Sequence, residues 1–158
     1  MKKLLIFVIG STVFFWGCDW NSETKYTLQL AAEEFHVEVV DTFETKTKGL
    51  SGRKHLAQDS GMLFVQQSPT MMTMWMKDCY IPLDVLFFDR DCRLINFHTM
   101  PAPQPETPEG ALPRYRSDKP VRYALELSAG TAQRLGLRPG DIVSFSPDLL
   151  NRLGQSTE

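Results

Sequence analysis

No run or stripe of lysine and arginine appears in this sequence, and 17 basic residues face 19 acidic ones for a net charge of −2. A binder of nucleic-acid phosphates needs clustered cations to displace counterions, so no nucleic-acid partner is expected. A nucleophile elbow, a zinc signature, a phosphate-cradling loop and a dinucleotide fingerprint are also missing. No ready-made catalytic chemistry, cofactor or resident metal is therefore expected. There is no internal repeat. Nor is there a long apolar run: the stretch from Leu4 to Gly17 holds 14 residues. At ~1.5 Å each these reach about 21 Å, short of a hydrocarbon core of roughly 30 Å. Cysteine is scarce, with only Cys18, Cys79 and Cys92.

The short apolar run has another reading. Lys2 and Lys3 precede it and Gly17-Cys18 ends it, the grammar of a secretory leader. A small residue before a cysteine at that place resembles the lipobox of bacterial lipoproteins, which implies a diacylglycerol thioether on Cys18. Phe15 and Trp16 depart from that pattern, standing where Leu or Val and then a small residue are usual. Asp19 resembles the signal that retains some lipoproteins in the inner membrane. The expected layout is a lipoprotein leader over 1–18, a polar tether over 19–25, one β-rich domain over 26–146 and a loosely attached tail over 147–158. The expected place is the periplasmic side of the cell envelope, at the inner membrane. Loss of Lys2 and Lys3 leaves 15 basic residues against 19 acidic, a net charge of −4.

Alternation predicts strands at Tyr26–Leu30 and Phe35–Val40, the second with Phe35, Val37 and Val39 on one face and His36 and Glu38 on the other. Asp41 and Glu44 form a capping box ahead of a short helix closed by Gly49. Gly61–Val65 and Met71–Lys77 read as strands of a hairpin turning at Gln66–Thr70. A further hairpin pairs Leu83–Phe88 with Cys92–His98 around Asp89-Arg90-Asp91. If Phe88 faces Cys92 there, Asp84 lies opposite Asn96. Asp84 then shares a face with Leu86 and Phe88, so it is either paired, raised in pKa, or a structural aspartate bonded to backbone in the preceding turn. On the same register Cys79 faces position 101, about 30 Å along the strand from Cys92 at ~3.3 Å per residue, so geometry opposes a disulfide between them.

Six of the ten prolines fall between Pro101 and Pro120, with Arg114, Tyr115 and Arg116 among them. This stretch predicts a long loop, either functional or merely solvated. Val121–Leu127 then reads as a strand, Ser128 caps a helix to about Leu135 that Gly136 stops, and Ile142–Phe145 is a last strand.

The residues Gly49-Leu50, Arg53, Gly61-Met-Leu-Phe-Val65, Trp75-Met-Lys77, Ile81-Pro-Leu-Asp84, Leu125-Glu-Leu127, Ala129-Gly130 and Gly140-Asp141 resemble the domain-of-unknown-function 192 family of small prokaryotic proteins. The resemblance spans about Phe35 to Phe145. It implies an α+β, mostly β domain, a partly closed barrel-like antiparallel sheet with two short helices, and no established activity. Cys79 and Cys92 stand where the family more often has Thr and Gly, and Ser51-Gly52 stands where it often has apolar residues.

Three function classes fit these residues. A binding module for a small ligand or an envelope protein would use Trp75 and Tyr115 as flat apolar faces, with Arg53, Lys77, Asp84 and Glu126 as polar groups. A hydrolase would use Asp84 and Glu126 as acid and base, with Lys77 or Arg53 stabilising negative charge. A Cu(I) protein would use Met72, Met74 and Met76, which share one face if Met71–Lys77 is a strand, although methionines at that spacing are more often core filler. The three are separated by whether Arg53, Lys77, Asp84 and Glu126 meet in one cleft.

Overall fold

The computed structural model describes residues 25–155, so the expected leader, Cys18 and most of the expected tether lie outside the described residues. The chain runs β1 (Lys25–Leu30), β2 (Glu33–Val40), α1 (Phe43–Lys48), β3 (Ser60–Thr70), β4 (Thr73–Met74), β5 (Leu83–Phe88) and β6 (Leu94–Met100). It continues through β7 (Tyr115–Arg116), β8 (Val121–Ser128), α2 (Thr131–Arg134), β9 (Val143–Phe145) and α3 (Pro147–Arg152). Seven strands form one sheet in the order β6-β5-β8-β3-β2-β1-β9. Its pairs are antiparallel except β2 with β3, where α1 makes the crossover that a parallel pair requires.

All seven strands send side chains into one apolar cluster, from Leu28 and Phe35 through Leu63, Leu86, Leu94 and Leu125 to Val143. A flat sheet cannot do this, and the sheet curls strongly into a half-barrel. Its two edges touch at one end, where Arg93 bridges Ile142 and the Leu94 amide donates to the Asp141 carbonyl at 2.7 Å. The mostly β, partly closed barrel is therefore present. The opposite sheet face carries a second cluster, in which Met62, Phe64, Val85, Phe87 and Ala124 are covered by Leu50, Met72, Met76 and Cys79.

Gly61 stands where β3 and β8 approach closely. A Cβ there would stand 2.6 Å from the Glu126 carbonyl oxygen and 2.6 Å from Leu127 Cδ2. Only glycine admits that approach.

Several expected details change. The cap of α1 is Thr42, not Asp41: its hydroxyl accepts from the Thr45 amide, and Thr45 Oγ1 accepts in return from the Thr42 amide. The hydroxyls sit three residues apart, and the acidic pair was one step out of phase. Met71–Lys77 is not a strand paired with Gly61–Val65. Instead β3 runs on to Thr70, and only Thr73–Met74 pairs, with Tyr115–Arg116 of the proline-rich segment. The β5–β6 register is displaced by three residues. Asp89 Oδ1 accepts from the amides of Asp91 and Arg93, both at 2.9 Å, and Cys92 takes φ +60°, so the turn absorbs residues given to the strand. Asp84 consequently faces Thr99 rather than Asn96.

Among the described residues there are three α-helices rather than two, and the third lies in the stretch expected to be loosely attached. Ser146 caps α3, Leu149 is fully buried, and Gln155 donates to the Tyr123 hydroxyl at 2.6 Å. Among the described residues no helix is long and apolar enough to cross a membrane.

Candidate functional site

Alternation along β8 places Tyr123, Leu125 and Leu127 in the barrel cluster and turns Ala124 and Glu126 to the other face. The register sets Glu126 beside Met62 of β3 and Val85 of β5, both in the second cluster. Glu126 is 4 % exposed. Among the described residues no hydrogen bond or ion pair reaches its carboxyl, and burial alone pushes its pKa up to about 8. The neutral acid is the favoured form at neutral pH, which suits a group with nothing to balance a charge.

Glu126 forms part of the floor of a cleft of about 480 Å³. Leu50, Phe64, Met72 and Cys79 give it apolar walls, and α1 and the residues after it form one side. Burial raises the Cys79 thiol to about 11, so it is a protonated wall group and no nucleophile at neutral pH.

Three lysines stand around the cleft: Lys46, Lys48 and Lys77. Lys46 Nζ donates to Gln66 Oε1 at 2.9 Å and to the Val65 carbonyl at 3.3 Å, which fixes the ammonium where this cleft adjoins a second one lined by Val65 and Gln67, without neutralising it. Lys77 Nζ is paired with Glu109 Oε2 at 2.6 Å, and that bond raises its pKa. Trp75 lines the cleft too, with the Arg114 guanidinium stacked 3.7 Å from its ring centroid. The proline-rich segment thus clasps this wall through Glu109 and Arg114.

Of the residues singled out in the sequence, Trp75, Lys77 and Glu126 meet here. Arg53 does not. It forms a two-pronged pair with Glu38, with Nη1 to Oε1 at 2.6 Å, in a separate pocket of about 340 Å³ beyond Gly49. Tyr115 lies outside the cleft, tilted against the His98 ring at 5.7 Å. Asp84 points to the opposite sheet face. It is fully buried and accepts from Thr99 Oγ1 at 2.7 Å and from the Ala132 amide at 2.8 Å. α2 begins at Gly130, which has no capping side chain, and Asp84 supplies that acceptor from another strand. The bond to backbone was foreseen, but it reaches forward to a helix rather than into the preceding turn.

The three methionines do not lie along a strand, since only Thr73–Met74 is one, and all three turn to the second cluster. Met76 is interior at 1 % exposure, Met72 is buried, and Met74 packs on the same cluster, so all three serve as filler. Cys79 and Cys92 are free thiols against different clusters.

Lys46, Lys48, Gln66 and Cys79 were not singled out beforehand as site residues. Lys46 and Lys48 carried one available signal, their place in the last turn of the helix that Gly49 closes.

The family model DUF192, described as "Uncharacterized ACR", matches residues 26–145. No curated protein matches the chain. A solved structure from Sinorhizobium meliloti 1021, described as a suspected transcription regulator, is 32 % identical with a TM-score of 0.69, covering 79 % of this chain and 96 % of that one. A protein of unknown function from Novosphingobium aromaticivorans DSM 12444 is 30 % identical with a TM-score of 0.67, covering 76 % of this chain and 84 % of that one. The match runs through β1 to β9 and takes in both Glu126 and the Trp75-Met76-Lys77 wall of its cleft, so this chain belongs to the DUF192 family.

Proposed function

We propose that this protein is a small-ligand-binding accessory module of the cell envelope, held at the periplasmic face of the inner membrane by a lipid on Cys18, and that the Glu126 cleft is its binding site. One observation carries the reading: Glu126, 4 % exposed as a residue and without a hydrogen-bond partner for its carboxyl among the described residues, lines a cleft. A largely desolvated carboxyl that opens on a cleft and bonds to no neighbour is a group a ligand can pair with. The cleft volume falls within the roughly 300–1,000 Å³ usual for small-molecule sites. The Gly17-Cys18 ending of the apolar leader supports the anchor.

The hydrolase reading is weaker, because Asp84 stands across the sheet from Glu126 and caps α2. The copper reading is weaker because the thioethers pack in the core. The description of the Sinorhizobium protein does not alter the proposal, since this chain's mature charge is acidic and the lysines of the cleft form no stripe.

The test is a thermal-shift screen of sugars, cell-wall fragments, organic acids and metals against the detergent-solubilised full chain and its Glu126→Leu variant. At least one compound should raise the wild-type Tm and leave the variant unmoved. Failure of every compound, or equal shifts in both proteins, overturns the assignment of this cleft. Palmitate labelling that persists in Cys18→Ser overturns the anchor.

A further inference from the structure

We infer that the ligand of this cleft is a small organic anion, a carboxylate or phosphate monoester, that carries an uncharged hydrogen-bond acceptor such as a carbonyl or hydroxyl at its far end. The inference rests on the binding reading above and names the chemistry that the site would select.

Charge comes first. Among the described residues Glu126 is the only acidic one lining the cleft, against three lysines. Lys77 is matched by Glu109, but Lys46 and Lys48 have no carboxylate partner among the described residues. Lys46 is also held in place, because Gln66, which fixes its ammonium, lines the same cleft. A fixed, unbalanced ammonium beside the cleft favours an anion and repels an amine.

The floor sets the other end. In its neutral form Glu126 offers one O–H donor and no charge. Its natural partner is a carbonyl or hydroxyl oxygen. A second carboxylate there would have to be stripped of water beside a buried acid to which no ion pair is made among the described residues.

The separation between these ends follows from register. Met62, the partner of Glu126, and Gln66, the partner of Lys46, lie on one strand four residues apart. That is about 13 Å of backbone at ~3.3 Å per residue. Leu50, Phe64 and Met72 line the space between and suit an apolar body. Phe43 and Met71, 79 % and 54 % exposed, flank the same cleft as apolar lips that such a body would cross on entry.

The probe set is 7-oxooctanoate, octanoate, 2-octanone and octylamine, which differ in charge or in the acceptor while keeping an eight-carbon chain. Binding to the full chain carrying Trp16→Phe and Trp20→Phe is read from Trp75, then the only tryptophan and a wall of the cleft. The keto acid should bind about tenfold or more tighter than the ketone or the simple acid, in keeping with the worth of a charge-assisted hydrogen bond. Octylamine should not bind. Lys46→Met with Lys48→Met should lower keto-acid affinity to that of the ketone. Glu126→Leu should lower it to that of octanoate, and Glu126→Gln, which keeps a donor, should retain binding and so separates lost contact from lost fold. If the ketone or the amine binds as tightly as the keto acid, the anion assignment falls while the ligand cleft stands. Failure of all four probes also removes the assignment, and the thermal-shift screen judges the cleft independently.

Discussion

Asp84 and Glu126 lie on adjacent strands one residue out of register, Asp84 opposite Leu127 and Glu126 opposite Val85, so their carboxyls project to opposite faces of the sheet. That offset assigns them different work. Asp84 joins a helix to the barrel, whereas Glu126 is left for the cleft.

The protonation of Glu126 predicts a pH-dependent stability. The folded state keeps the proton up to about 8, while the unfolded chain releases it near the ordinary 4.5. Between those values the folded state binds more protons, so stability falls as pH rises through this window and levels off above it. Glu126→Gln removes the slope and should exceed wild type by a few kcal/mol at the alkaline end, at about 1.4 kcal/mol per pKa unit. Urea unfolding at both ends of the window checks this. A gap between the two proteins that does not widen with pH contradicts it.

Asp84→Ala should destabilise by about 2–4 kcal/mol, because the Ala132 amide loses its acceptor in a fully buried place. Asp84→Asn, which keeps one acceptor oxygen, should lose less. Neither change should weaken ligand binding beyond the loss of folded protein. Equal stability of Asp84→Ala and wild type in chemical denaturation would remove the capping role.

Gly61→Ala should cost about 1–3 kcal/mol, the range for overpacking. The obstructing atom is the Glu126 backbone oxygen, which cannot swing aside as a side chain can. Calorimetry showing an unchanged Tm would mean that β3 and β8 are not so close.

Both Cys79 and Cys92 should alkylate slowly in native protein, since burial raises each thiol to about 11. Denaturation without reductant should release both at once. Finding neither reactive would demonstrate a bridge.

Much of the barrel was legible because strands such as Phe35–Val40 and Val121–Leu127 alternate apolar with polar or small residues, although β8 proves to be buried on both faces. The β5–β6 turn was not legible, because the Asp89 carboxylate and a left-handed Cys92 lengthen it through bonds that no periodicity records. Met71–Lys77 alternates like a strand, yet most of its length covers the sheet. Of the site, Trp75, Lys77 and Glu126 were found as polar or aromatic residues within apolar segments. Lys46 was missed because its role depends on Gln66, twenty residues away on β3. Asp84 was recognised as buried, but its partner lies 48 residues downstream.

The most direct measurement is a carbon-13 NMR titration of the Glu126 carboxyl in the folded protein. The midpoint should lie near 8 and be displaced when 7-oxooctanoate occupies the cleft. A midpoint near 4.5, unmoved by the keto acid, would show an ordinary ionised glutamate and contradict the account.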